Sequence, residues 1–430
     1  ENTISMNYIG IWLYTSCTNN TLTGNTASNN RNGFLLDYSS HHNALASNTA
    51  NLNDDSGIKL AFSCNNTLTG NIVSNNHYGI DLHNSSNNTL TGNTASSNFN
   101  SGIFLYSSSN NNTLMDNTAA NNYVGIDLDE SCNYNTLTNN TAVNNTYGID
   151  LDYSSINTLT GNNASANNEN GICLSYSSTN ILTSNTANSN DHHGISLYDS
   201  CNHNTLTGNT ACSNNRTGIY LRSSSNNTFT GNTASSNNRT GIYLGSSSTN
   251  NTLTGNIANA NSEGIRLYSS SNNCIYNNYF DNTNNAWDDS TNIWNITQTA
   301  GTNIIGGSWL GGNYWSDYTG EDTNGDGLGD TQPPYNSSGN IVNGGDWLPL
   351  VATPPEEVIP LPGFFDPPTD PDADGLCEDL NGNGGLDFDD VVQLFKSLEW
   401  IEANEPIVCF DFNGNGRLDF ADIVQLFKEV

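Results

Sequence analysis

A Gly-Ile pair (Gly-Phe once) returns every 22 to 24 residues, at Gly10, Gly33, Gly57, Gly79, Gly102, Gly125, Gly148, Gly171, Gly194, Gly218, Gly241 and Gly264. A Leu stands three residues after each, from Leu13 to Leu267. A period this strict restricts the chain to folds in which each repeat packs on its neighbours. Within one repeat the apolar positions form three short groups: Ile80 and Leu82, then Leu90, then Ala95. Ile-x-Leu has the two-residue period of a strand with one buried face. The polar clusters between groups are turn chemistry, and no helical period occurs. Three strands and three turns per repeat predict a mainly β chain, a right-handed parallel β-helix of about twelve coils over residues 1–285. Stacked at about 4.8 Å, the coils would form a rod roughly 55 Å long.

Two columns support this register. Asn stands three residues after each Leu22-type position in all twelve coils, at Asn25, Asn48, Asn71, Asn93, Asn117, Asn140, Asn162, Asn185, Asn209, Asn232, Asn256 and Asn278. Stacked identical amides can bond to one another along the axis as an Asn ladder. Seven residues after each glycine only Ser or Cys occurs, with Cys17, Cys64, Cys132 and Cys201 among eight serines. That pattern asks for a small residue. Its cysteines lie two or three coils apart, beyond the reach of a disulfide.

Charge excludes several functions. With 42 acidic residues against nine Lys plus Arg the net charge is −33, too few cations for a nucleic-acid groove or an anionic membrane surface. No apolar run reaches membrane-spanning length. A calcium-rich exterior suits such a chain, and dense Asn-x-Ser/Thr sequons, among them Asn19, Asn65, Asn87, Asn111, Asn226 and Asn250, suit secretion. Glu1 falls inside a repeat, as though the start had been processed or trimmed. The first ten residues enter directly as coil sequence, so another chain or the small C-terminal module is expected to cover that end.

The coil pattern Asn-Thr-Leu-Thr-Gly-Asn…Gly-Ile-x-Leu resembles the NosD-like, carbohydrate-binding and sugar-hydrolase class of β-helix repeats, abundant in archaeal surface proteins. The resemblance continues through Gly312-Asn-Tyr-Trp-Ser-Asp-Tyr318, Asp322-Thr-Asn-Gly-Asp-Gly-Leu-Gly-Asp330 and Asp346-Trp-Leu-Pro349. It implies a cap over residues 286–350, with Trp309, Trp315 and Trp347 covering the last coil. The cap carries a calcium-type loop through Asp322, Asn324, Asp326, Leu328 and Asp330.

Residues 351–370 are proline-dense and read as a stiff linker. Beyond them, residues 371–430 hold two twelve-residue calcium loops, each followed by an amphipathic Val-Gln-Leu-Phe-Lys segment. The first offers Asp379, Asn381, Asn383, the Gly385 carbonyl, Asp387 and Asp390; the second offers Asp411, Asn413, Asn415, the Arg417 carbonyl, Asp419 and Asp422. Gly384 and Gly416 stand at the sharp turns. A hard cation with six to eight oxygen ligands requires this spacing. The duplicated unit looks like a dockerin, a small α-helical module, and the resemblance implies a cohesin-type partner. Phe388, Asp389, Phe420 and Ala421 occupy the positions a cohesin reads, a departure from the usual small residues. Cys377 and Cys409, each two residues before its loop, are the disulfide candidates.

Outward positions offer Asp127, Asp129, Asp150 and Asp152 on two adjacent coils, with Asp81 two coils away. They could bind surface calcium, hold a carbohydrate, act as an acid/base pair or simply be solvated; no basic residue accompanies them. A tyrosine stripe (Tyr106, Tyr153, Tyr176, Tyr198, Tyr220, Tyr243, Tyr268) could stack on sugars. His41-His42 and His192-His193 are turn or opposite-facing pairs and poor metal sites. The sequence therefore predicts a secreted cell-surface or matrix protein without an evident catalytic site. It is a rigid structural or adhesive rod with a calcium-dependent attachment module, partnered by other protein chains through self-assembly or a cohesin-like domain. The alternative is a module that binds or cleaves polysaccharide.

Overall fold

A computed structural model describes residues 1–352, 358–372, 374–415 and 417–430. It divides into two compact units, Glu1–Val351 and Ala352–Val430.

The first unit is a parallel β-helix. Among the described residues, its largest sheet has fourteen strands, from Ile9–Tyr14 to Ile341–Asn343, and a second has twelve, from Thr21–Thr23 to Cys274–Tyr276. The third runs as seven strands from Thr3–Ser5 to Thr141–Val143. It continues through single bridges at Asn163, Thr186, Thr210 and Thr233 before regaining strands at Ile257–Asn259 and Tyr279–Asp281. Register follows the sequence period, as in Ile80↔Ile103 and Leu90↔Leu114. The expected inward groups are the core: Ile80, Leu82, Leu90 and Ala95 are fully buried.

The Asn column forms a ladder, and two more ladders accompany it. From Asn25 to Asn278 each Nδ2 of the first column donates to the Oδ1 of the next coil, for example Asn140 to Asn162 at 3.0 Å. Sequence reading missed a second column, which holds Asn43, Asn66, Asn88 and Asn112, and a third, which holds Asn53, Asn76, Asn98 and Asn122. One ladder stands at each turn of the triangle. Most buried ladder amides thus find a partner, as burial of a polar group demands; the exceptions among the described ladder residues are the Nδ2 groups of Asn135 and Asn157 in the second column. The residue before each first-column Asn is left-handed. It is Gly24, Gly70 and Gly92 in some coils and Ser47, Asp116 and Asn139 in others, which explains the recurring Thr-Gly-Asn. The Gly of Gly-Ile has a different cause: a Cβ on Gly125 would lie 2.5 Å from the Gly148 carbonyl oxygen and 2.8 Å from Asn145 Nδ2.

The Ser/Cys column needs correction. The buried residues are Ser40, Ser63, Ser85, Ser109, Cys132, Ser154, Ser177, Cys201, Ser224, Ser248 and Ser270. They stand six or seven residues after the glycine but always three before a second-ladder Asn. Where the turn is one residue shorter, the seventh position is partly exposed, as at Cys64 and Ser86. All nine cysteines are free thiols.

The strand Asn284–Thr291 extends the largest sheet beyond residue 285. Over the last coils Trp315 stacks on Phe280 and Tyr335, with Trp294 beside it. Trp294 and Trp315 are buried and donate to the buried carboxylates of Asp288 and Asp346. Trp309 is half-buried and Trp347 is exposed, so Trp294 fills the place expected for Trp347.

The second unit contains helices α1 (Phe388–Asn404) and α2 (Phe420–Glu429). Asp387 and Asp419 are their N-caps, and Asp390 and Asp422 return the bond to the cap amide, a reciprocal capping box in each. Leu380, Leu394, Ile401, Phe410 and Leu426 form the core. Leu361, from the segment expected to be linker, is buried in it; residues 353–357 of that segment lie outside the described residues, as does Gly416.

Candidate functional site

Parallel stacking places residues one period apart side by side, so the outward face of the largest sheet is a set of columns. One runs Lys59, Asp81, Phe104, Asp127, Asp150, Cys173, Ser196, Tyr220, Tyr243, Arg266 and Trp287. Its chemistry changes along the axis from acidic to aromatic and basic.

In the acidic band Asp127 lies directly beside Asp150. Burial, then the neighbouring carboxylates, push Asp127 well up and Asp150 up to about 7. Asp129 and Asp152 are raised less, chiefly by burial. Asp81 is not part of this group: Lys59 meets it at 2.6 Å.

The basic band holds the best-formed concavity, a depression of about 740 Å³ lined by residues including His192, His193, Arg216, Tyr220, Arg239 and Arg266. Its shape has a local origin. Three successive strands shorten to four residues, Ile172–Ser175, Ile195–Tyr198 and Ile219–Arg222. The residues just before Gly171, Gly194 and Gly218 are thereby left outside the strands, whereas Arg239 precedes and Glu263 begins a six-residue strand. Backbone bonds stack His192, Arg216, Arg239 and Glu263 on consecutive coils as one wall. Rings line the floor. His193 stacks on Tyr220 at 4.4 Å, and Tyr220 on Tyr243 at 4.9 Å with the planes 2° apart. Tyr198 tilts against Tyr220 at 5.3 Å.

Four of the chain's nine basic residues, Arg216, Arg222, Arg239 and Arg266, line this one depression. Arg266 pairs with Glu263 at 2.7 Å and lies over Trp287. Among the described residues no salt bridge occupies Arg216, Arg222 or Arg239. Burial, aided by His192 and Arg216, holds His193 down at about 3, so its ring is neutral. Burial raises Tyr198, Tyr220 and Tyr243. The result is a cationic, ring-paved groove on a strongly acidic protein.

Sequence reading saw the tyrosines but not the arginines, which occur at three offsets from the glycine (Arg216 and Arg239 share one) and converge only when coils stack. The tyrosine stripe is not continuous. Tyr106 stacks on His83 and Phe104, Tyr153 on Tyr176, and only Tyr198, Tyr220 and Tyr243 share the groove. The sequon residues Asn19, Asn65, Asn87, Asn111, Asn226 and Asn250 are exposed at left-handed turn positions.

The predicted calcium loops share one bonding scheme. In the first, Asp379 accepts the amides of Asn383 and Gly384 at 2.9 and 2.8 Å, and Asp390 accepts those of Asn381 and Asp387. In the second, Asp411 accepts from Asn415, and Asp422 from Asn413 and Asp419. In the cap, Asp322 accepts from Asp326 and Gly327, while Asp330 accepts from Thr323 and Asn324. A fourth loop of the same scheme went unread: Asp370 accepts from Asp374 and Gly375 at 3.2 and 2.8 Å. Among the described residues, the one group of three or more His, Cys, Asp or Glu whose ligand atoms lie within 4.8 Å of one another is Asp370, Asp372, Asp374 and Glu378. The carboxylates of the three expected loops do not converge that closely. Cys377 and Cys409 lie side by side as thiols, the Cys377 amide donating to the Cys409 carbonyl at 2.8 Å. Burial, then Cys409, pushes the Cys377 thiol up to about 12.

The profile of a family described as "Periplasmic copper-binding protein (NosD)" matches residues 1–123, 106–210 and 170–320. The chain belongs to the NosD family. Copper favours imidazole and sulfur ligands, and among the described residues this NosD-family chain gathers no group of three or more ligands that contains them. Among the described residues its tightest ligand group is all carboxylate, and its two methionines, Met6 and Met115, lie on different coils. The residues present do not fit copper. No curated protein matches the chain. Solved structures similar to it include the Dettilon tailspike protein at 15% identity and TM-score 0.49, with 60% of this chain and 61% of that one covered. This NosD-family chain thus spans about three fifths of the tailspike's length. The mannuronan C-5 epimerase AlgE4 A-module of Azotobacter vinelandii aligns at 14% identity, TM-score 0.40, covering 68% of this chain and 87% of that one. Pectate lyase Pel9A aligns at 13%, TM-score 0.40, covering 59% and 78%. At such distances these likenesses bear on neither substrate nor mechanism. No described helix is long and apolar enough to cross a membrane.

Proposed function

We propose that this NosD-family chain is a periplasmic or extracellular carbohydrate-binding β-helix that holds an anionic polysaccharide in the groove between His192 and Arg266. The observation that carries the reading is the gathering of four of nine basic side chains around the His193–Tyr220–Tyr243 stack. Arginine forks match carboxylates in a paired geometry. Flat phenol faces suit sugar rings. A −33 chain otherwise repels a polyanion, so local cations are needed for attraction. Titrating the full chain with a polyuronate should give binding that weakens with salt, and a neutral glucan should bind far less. Arg216→Ala together with Arg239→Ala should reduce polyuronate affinity at least about tenfold, given roughly 1.5–3 kcal/mol for a hydrogen bond to a charged group. Equal affinity for the neutral glucan, or unchanged affinity in the double variant, would exclude the reading.

A second reading concerns the C-terminal unit, as a dockerin-like, calcium-ordered attachment module. It is favoured by exposed Phe388, Phe395, Phe420 and Phe427 on its two helices, with Phe388 and Phe427 in edge contact. Large apolar groups left in water beside ion-binding loops suit a protein partner, a cohesin-like domain or a second copy of the chain. In an oxidising compartment Cys377 and Cys409 would bridge.

A further inference from the structure

We infer that Asp370, Asp372, Asp374 and Glu378 form a calcium site of their own, beyond the two loops of the dockerin-like reading. Their ligand oxygens lie within 4.8 Å of one another. A second observation points to a ligand. Glu378 is 4% exposed, and its Oε2 is buried with no hydrogen-bond partner. An unpaired buried carboxylate is costly, and a cation held between it and the three aspartates removes that cost.

The ligand set selects the ion. Four carboxylates and no imidazole or sulfur favour a hard cation, and an all-oxygen, acid-rich ligand set completed by a backbone carbonyl suits calcium, whereas magnesium demands a near-ideal octahedron and keeps several waters. The spacing agrees. Asp370-Pro-Asp-Ala-Asp-Gly-Leu-Cys-Glu378 repeats, position for position, the acidic residues, Gly and Leu of Asp322-Thr-Asn-Gly-Asp-Gly-Leu-Gly-Asp330, with Asp372 in place of Asn324. Position seven of such loops gives its carbonyl, here Leu376. With four carboxylates against three in each of the two helix-linked loops, this site should be the tightest of the unit.

The site is tied to the first helix-linked loop. Thr369 and Asp379 exchange backbone bonds across the ends of the 370–378 loop, and Thr369 Oγ1 donates to Asp379 Oδ2 at 2.7 Å. Ordering one loop therefore positions the first ligand of the next.

Calorimetric titration of the calcium-stripped full chain tests the site. Asp372→Asn, at an exposed position, and Glu378→Gln, a near-isosteric change, should each remove one tight calcium from the wild-type stoichiometry. Asp379→Asn and Asp411→Asn should spare that site. If Asp372→Asn and Glu378→Gln both bind as many calcium ions as the wild type, at unchanged affinity, the inference is wrong. The two-loop reading survives that result if Asp379→Asn or Asp411→Asn still loses an ion. Loss of one ion in Asp372→Asn with none lost in the other two variants upholds this site and removes the two-loop reading.

Discussion

Asn140 illustrates what one side chain does in this fold. Its Nδ2 donates to the Leu114 carbonyl at 2.9 Å and to Asn162 Oδ1 at 3.0 Å, and its Oδ1 accepts the amide and Nδ2 of Asn117. Asn140→Leu would keep the volume but strand groups on two neighbouring coils where no water reaches them. The β-helix should lose about 1–3 kcal/mol, as buried unsatisfied groups typically cost, readable as a lower denaturant midpoint. An unchanged midpoint would contradict the ladder's role. This ladder was legible in the sequence because it keeps one offset from a Leu. The other two keep equally fixed offsets, two residues before and eight after that Leu, and were hidden only among the surrounding asparagines. Inward positions are conserved in space, and the extra residue of a longer turn bulges outward.

At the level of strands, two carboxylates side by side on adjacent coils have a definite pH signature. Asp150 is held near 7, above its ordinary value of 3.8. In the folded state it therefore keeps a proton that the unfolded chain has lost. Its contribution to stability is full below the ordinary carboxylate value and disappears as pH rises through about 7. Asp150→Asn, neutral at every pH, should raise the melting temperature at pH 8 and change it little at pH 4, in calcium-free buffer. The same gain at both pH values would show that repulsion and burial are not the cause. The acidic band was readable because its members share one strand pattern. The arginine groove was not: Arg216 and Arg239 belong to turns and Arg222 and Arg266 to strands, so no single spacing unites them. The 370–378 loop was missed for another reason: it starts at the end of the proline-dense stretch read as linker and directly abuts the twelve-residue loop that begins at Asp379.

The molecule as a whole has two separately packed units with different sources of stability. The β-helix rests on stacked strands and amides, whereas the C-terminal unit surrounds a small core with acidic loops. Chelation should lower the melting of the C-terminal unit, followed by its helical signal, and leave the β-sheet transition in place. A single transition indifferent to chelator would argue that cations do not hold that unit. The three Asn ladders carry a further consequence, for how such a chain can change over generations. Because each turn is pinned by the coil above and below, gain or loss of one whole period rejoins like with like: the cross-section survives, and length changes by a single layer. Loss of half a period would rotate every later column around the axis, and between His193 and Tyr220 it would set the two rings on different faces. Length in this architecture is therefore inherited in steps, and the groove can be moved along the rod, but it cannot be shifted by a fraction of a coil.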